Sequence, residues 1–211
     1  SFFLALEVLD CYGMTFIPPD FYFADNLKIV RITSNVIPNL LFSAFTLAPT
    51  IEYLNLDNNQ IQNLGPSPFG GLFNARHVSI ANNRIRTITP QMLAPLSSLE
   101  IFVAPDNLIE VLDGNLFVNN PNLMSVNFGG NNINAVGSSF LNINTNLRFL
   151  FMDRNDCVNQ NFINDDANLP AIRGALEECF ENSPFGTQIV LEVVGNLTIF
   201  DENGQVVLRV N

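Results

Sequence analysis

Basic residues are scarce. Lys28 is the only lysine among 9 basic residues, which face 20 aspartates and glutamates for a formal net charge of −11 at pH 7. A surface that acidic is a poor partner for nucleic acid or an anionic membrane, and serves solubility more simply. Histidine occurs once, at His77, so imidazole chemistry has a single candidate. No apolar run approaches the roughly 18 residues that a spanning helix needs, which excludes a transmembrane helix within this segment. Only three cysteines are present, Cys11, Cys157 and Cys179.

What is abundant is asparagine at a fixed interval. Asn35, Asn59, Asn83, Asn107, Asn131 and Asn155 are spaced 24 residues apart. Apolar columns keep the same phase. The first is Leu27, Ile51, Ala75, Leu99, Leu123 and Leu147. The second is Val30, Leu54, Val78, Phe102, Val126 and Leu150, and the third runs from Ile32 to Met152. Ile37, Ile61, Ile85, Ile109, Ile133 and Cys157 follow the asparagines. A later column is Phe45, Phe69, Leu93, Phe117 and Leu141. Such a period marks stacked repeats, each one a short strand, a sharp bend and an irregular or 3₁₀ return path. Stepping back by the same interval puts Cys11 in the asparagine column, with Phe3, Leu6, Val8, Phe16 and Phe21 as its apolar companions.

The bend turns backbone N–H and C=O groups inward, and buried backbone must be paired. An amide side chain carries both donors and an acceptor, so it can serve its own turn and the next repeat. Stacked, the asparagines and Cys11 form a ladder. Cys11 donates weakly, and its thiol is either free or paired to a residue upstream of the segment.

Residues 1–156 read as a solenoid of about seven repeats, 157–186 as a cap and 187–211 as appended β-strands. The start "SFFLAL" reads as strand, which leaves the first coil uncapped unless a leader and cap precede it or another surface covers Phe2, Phe3 and Leu4. In the cap, Asn168 suits an N-cap and Pro170 a first turn, ahead of a three-turn helix stopped by Pro184. Ile172, Leu176, Cys179 and Phe180 form its apolar stripe. A Cys157–Cys179 disulfide would close this cap, and disulfides point to an oxidising compartment and a secreted protein. Asn196 opens the triplet Asn-Leu-Thr, an N-glycosylation acceptor pattern. Asn203-Gly204 lies between two β-branched runs and predicts an antiparallel hairpin.

These columns resemble the 24-residue leucine-rich repeats (LRRs) of secreted and cell-surface animal proteins, and the asparagine-rich style resembles arthropod members. The resemblance covers residues 3–156, with a cap that is a shortened version of the usual four-cysteine form. It implies an α/β fold: a curved solenoid with a parallel concave β-sheet. It also implies a non-catalytic module that takes a protein or glycan on that concave face, with no cofactor.

Strand alternation turns Ile29, Arg31, Tyr53, Asn55, His77, Ile101, Val103, Phe149 and Phe151 out onto the sheet. Large apolar groups exposed in a patch mark a binding surface, although the C-terminal strands would also account for Phe149 and Phe151 by covering them. Ala5, Glu7 and Leu9 fall in the same outward columns of the first repeat. His77 and Ser79 share a face, but no carboxylate is placed to orient the ring. Asp153, Asp156, Asp165 and Asp166 gather toward the cap, where helix capping and surface charge explain them better than a metal site. The paired glycines at 70–71 and 129–130 fall in repeat turns, not in a phosphate loop. A second reading is an extracellular assembly protein that self-associates through its C-terminal strands or uncapped start.

Overall fold

The computed structural model describes residues 6–17, 26–40, 44–46, 48–143, 146–163, 169–184, 197–200 and 206–210. Phe2, Phe3, Leu4, Ala5, Phe21, Asp165, Asp166, Asn168, Asn196, Asn203 and Gly204 lie outside them.

In chain order the strands are β1 (Val8–Asp10), β2 (Ile29–Arg31), β3 (Tyr53–Asn55), β4 (His77–Ser79), β5 (Ile101–Val103), β6 (Val111–Leu112), β7 (Ser125–Asn127), β8 (Ala135–Val136), β9 (Phe149–Phe151), β10 (Asn161–Ile163), β11 (Leu197–Phe200) and β12 (Val206–Val210). The helices are α1 (Pro90–Leu93), α2 (Phe140–Ile143), α3 (Leu169–Ala175) and α4 (Glu177–Glu181). One eight-stranded sheet runs β1-β2-β3-β4-β5-β7-β9-β10, parallel except for β10, which is antiparallel to β9. From β2 onward the register is one repeat per strand: Val30 pairs with Leu54, Leu54 with Val78 and Val78 with Phe102. Equal register stacks each side chain over its equivalent in the next repeat, so inward columns merge into one core. Val30, Leu54, Val78, Phe102, Val126 and Leu150 are fully buried. Phe102, Phe117, Phe128 and Phe140 pack ring to ring, with centroids 5.8–6.2 Å apart.

The return paths hold turns, the four-residue helices α1 and α2, and a two-stranded parallel sheet of β6 and β8. Among the described residues none of it is 3₁₀ helix, so of the two expected forms, irregular or 3₁₀, the return path is the irregular one. The residue before each rung is left-handed: Ser34, Asn58, Asn82, Asp106, Gly130 and Arg154 have φ between 51° and 66°. Only Gly130 takes that conformation without steric cost, and a Cβ on it would come 2.3 Å from Asp106 Oδ1. Gly130→Ala is therefore expected to destabilise by about 1–2 kcal/mol, read as a shift in urea midpoint.

The first repeat breaks the 24-residue ruler. Val8 pairs with Ile29, Leu9 with Val30 and Asp10 with Arg31, a separation of 21. Leu9, expected outward, thus packs on the core, while Val8 and Asp10 take the outward places expected for Ala5 and Glu7. Cys11 N donates to Arg31 O as Ile32 N does to Asn55 O, so Cys11 occupies the third core column, not the ladder. Three residues then lead from Cys11 to Met14, where five lead from Ile32 to the equivalent Ile37, so the rung residue is missing. A further apolar column runs Leu40, Leu64, Ile88, Leu112 and Val136, and the offset carries it back to Ile17, which is buried, leaving Phe16 56% exposed.

The cap is helical but broken. α3 ends before Leu176, whose N–H is shared between Ile172 O and Arg173 O, and α4 restarts at Glu177. The stripe forms as expected: Ile172, Leu176 and Cys179 are buried and Phe180 packs beside them. Cys157 and Cys179 are disulfide-bonded. β11 and β12 form a separate antiparallel two-stranded sheet. Among the described residues no helix is long and apolar enough to cross a membrane.

Candidate functional site: the concave sheet

The asparagine rungs define what the concave sheet is free to do. Asn83 Nδ2 donates to Leu56 O, Ile80 O and Ala81 O, each at 3.1 Å, and its Oδ1 accepts from Ile61 N at 3.0 Å. Asn59, Asn107 and Asn131 repeat the pattern. Asn35 does so with Cys11 O and Met14 N, and Asn155 with Phe128 O and Ile133 N. Each rung serves its own turn and the preceding repeat, not the following one. Beyond the last repeat other asparagines take over. Asn161 Oδ1 accepts from Met152 N and Asp153 N, and Asn159 Oδ1 from Arg154 N, replacing the carbonyls of an absent next coil. With the turns satisfied, few outward side chains bond from coil to coil: Asp57 takes Ser79 and Ala81, and Arg31 reaches Asp10.

Those side chains form two rows across the sheet. One is Ile29, Tyr53, His77, Ile101, Ser125, Phe149; the other is Arg31, Asn55, Ser79, Val103, Asn127, Phe151. All nine side chains expected on this face are therefore brought onto it. The rows divide into two kinds of surface.

Toward β1 the surface is polar and aromatic. Tyr53 and His77 stack with ring centroids 4.6 Å apart. The Arg31 guanidinium lies 5.8 Å from the Tyr53 centroid and contacts Asp10 at 3.4 Å. Asn55 Nδ2 reaches the Tyr53 hydroxyl at 3.4 Å. Asp57, which sequence reasoning did not single out as a site residue, accepts from Ser79 Oγ at 2.6 Å and Ala81 N at 2.7 Å. Alternation does place Asp57 on this face, two residues after Asn55, but does not reveal its bond to Ser79.

Toward β10 the surface is largely apolar, interrupted at β7 by Ser125 and Asn127. Ile101, Val103 and Phe151 are half-buried, Phe149 is 43% exposed, and Ile163 pairs beside Phe149 at 62% exposure. The strand that extends the sheet past β9 is β10, not the C-terminal strands, and it leaves Phe149 exposed.

Ser79 is buried and gives its proton to Asp57, not to His77. Burial pulls the His77 pKa below its ordinary value, with the Asp57 charge opposing the shift. Between the ordinary value near 6.5 and the lower folded one, the unfolded chain holds more protons than the folded chain. Stability is thus full above that window and falls as pH drops through it. His77→Gln is expected to remove this component as the pH falls below the ordinary histidine value, checked by urea melts at a series of pH values. Cys11, which is not disulfide-bonded, has its thiol pKa pushed up by burial and then by Asp10, which suppresses thiolate reactivity.

Coils of this length, with an asparagine rung in each and a parallel sheet on one side, define a leucine-rich-repeat solenoid. Residues 49–109 match the leucine-rich repeat family model. No curated protein matches the chain. Among solved structures, the TLR13–ssRNA13 complex superposes with a TM-score of 0.65 at 22% identity, over 72% of this chain and 23% of that one. A leucine-rich-repeat protein of Leptospira interrogans gives 0.65 at 20% identity, over 83% and 48%. The chain thus spans about a quarter to a half of these neighbours, and the likeness is one of fold.

Proposed function

We propose that this chain is a secreted, non-catalytic recognition module that binds a protein or glycan on its concave sheet. The observation that carries the reading is a set of apolar side chains on that sheet, Ile101, Val103, Phe149, Phe151 and Ile163 with Ser125 and Asn127 between them, beside a polar, aromatic group around Arg31, Tyr53 and His77. Interfaces concentrate energy in aromatic and arginine anchors beside an apolar core, and both are present on one face. Leucine-rich-repeat solenoids typically bind proteins, which supports the class of function. The Cys157–Cys179 disulfide supports export to an oxidising compartment, and on export Asn196 is the expected glycan acceptor. Tyr53→Asp and Ile101→Asp should each abolish binding to a partner recovered from an extracellular interaction screen, with unchanged thermal melting. A partner that holds both variants as tightly as the parent chain places the site elsewhere.

Self-association is the second reading, favoured by the separate β11–β12 sheet with its own antiparallel register. Sedimentation of the intact chain and of a chain lacking 187–211 decides it. A concentration-dependent oligomer lost on deletion supports assembly, and a monomer in both excludes it.

A further inference from the structure

We infer that a groove on the flank of the solenoid, between the return paths of the β3 and β4 repeats, is a second binding site for an extended acidic peptide. Return paths on either side of it are tied together by backbone. Leu40 N bonds Asn63 O at 3.0 Å and Gln62 N bonds Pro38 O at 2.9 Å, with a bridge between Asn39 and Asn63. Farther along, β6 pairs β8 and Asn134 N bonds Glu110 O at 2.9 Å. Among the described residues, the main-chain groups of 86–88 join no backbone hydrogen bond to 62–66 or to 110–113. The local sequence explains the gap. Gly65 at φ +66° and Pro66 redirect one return path, and Pro90 starts α1 in the other.

The opening is about 720 Å³, with Leu64, Pro66, Met92 and Leu108 supplying apolar lining and Arg84 and Arg86 the charge. Arg84 is exposed, and no carboxylate pairs with it among the described residues. Arg86 contacts Glu110 at 3.3 Å, with both side chains more than half exposed. Such a pair is weak and exchanges readily for a better-placed carboxylate. Two cations without a dominant internal partner make this groove locally positive against the chain's net charge of −11, and that local charge selects an anion over a cation. Unladdered main chain beside them selects an extended peptide backbone, which bonds sheet-like edges with its own amides. Alternating side chains of that peptide meet the apolar lining and the guanidinium groups in turn.

The site is separate from the concave sheet, so its test is independent of the proposed function. The probe is a fluorescent, end-blocked peptide of four Glu-Val repeats, titrated with the full chain at low salt and followed by anisotropy. The acidic peptide binds, its Lys-Val counterpart does not, and amide shifts concentrate at 62–66 and 84–92. Arg84→Glu with Arg86→Glu weakens binding by at least about tenfold, Arg84→Ala weakens it in the same direction, and Tyr53→Asp leaves it unchanged. The inference is overturned if the acidic peptide fails to bind or if the lysine peptide binds equally. It is also overturned if the double arginine variant, shown folded by circular dichroism, binds like the parent, or if octanoate binds as tightly as the peptide.

Discussion

Asn107→Ala is expected to lower the unfolding free energy by about 3 kcal/mol. Asn107 is 4% exposed, and its Oδ1 is the acceptor for Ile85 N at 3.1 Å. Truncation leaves that N–H buried and unpaired, which costs about 1–3 kcal/mol by itself. The carbonyls are spared: Pro105 O keeps Asn82 N at 3.0 Å, and Ile80 O and Ala104 O keep Asn83 and Asn131, so the cost falls on the Ile85 N–H. A leucine of similar volume offers no rescue, because it fills the space without supplying an acceptor. Against a domain stability of about 5–15 kcal/mol the effect is large, and urea denaturation reads it directly. Asn155→Ala should cost less. That rung is half-buried at the end of the stack, where water can reach the groups it leaves. Equal losses at the two positions would contradict the burial argument.

Removing the disulfide by Cys157→Ser with Cys179→Ser is expected to cost about 3 kcal/mol, since the bond closes a 22-residue separation. The loss is structural as well as entropic. Cys179, Leu176 and Ile172 are buried in the cluster that closes the last coil, and Asn182 Nδ2 ties the cap to Asn134 O at 3.2 Å. A reductant added to the parent chain should reproduce the shift in melting temperature, and should change nothing further in the double variant. Cys11→Ser should leave the reductant response intact, because Cys11 is outside the bridge.

The solenoid was legible because its information is periodic. From Leu27 to Met152 each core residue has a copy in the same phase, so strand register and the direction of every concave side chain follow from counting. Where the period slips, counting fails. The turn after Cys11 is two residues shorter than its counterparts, and nothing in the composition of "LDCYGM" announces this. The ruler therefore puts Cys11 in a rung and Phe16 in the core, whereas Cys11 is absent from the ladder and Phe16 is exposed. β10 was hidden for a different reason. "NFI" shows no clear alternation, and its strand state depends on an edge of β9 that exists only once the coils have stacked. Likewise Asp57 reads as one more polar residue until Ser79 is placed 24 minus two positions on and the two side chains meet across neighbouring strands.

Exchange of side-chain amide hydrogens measures the central claim most directly. If the rungs are internal ties, the Nδ2 protons of Asn59, Asn83, Asn107 and Asn131 exchange far more slowly than those of their exposed neighbours Asn58, Asn82 and Asn132, and mutation of the concave residues Tyr53 and Ile101 leaves that protection unchanged. Equal, solvent-like exchange in both sets would show that the asparagines do not bind coil to coil, and the reading of the concave sheet as a surface held open for a partner would fall with it.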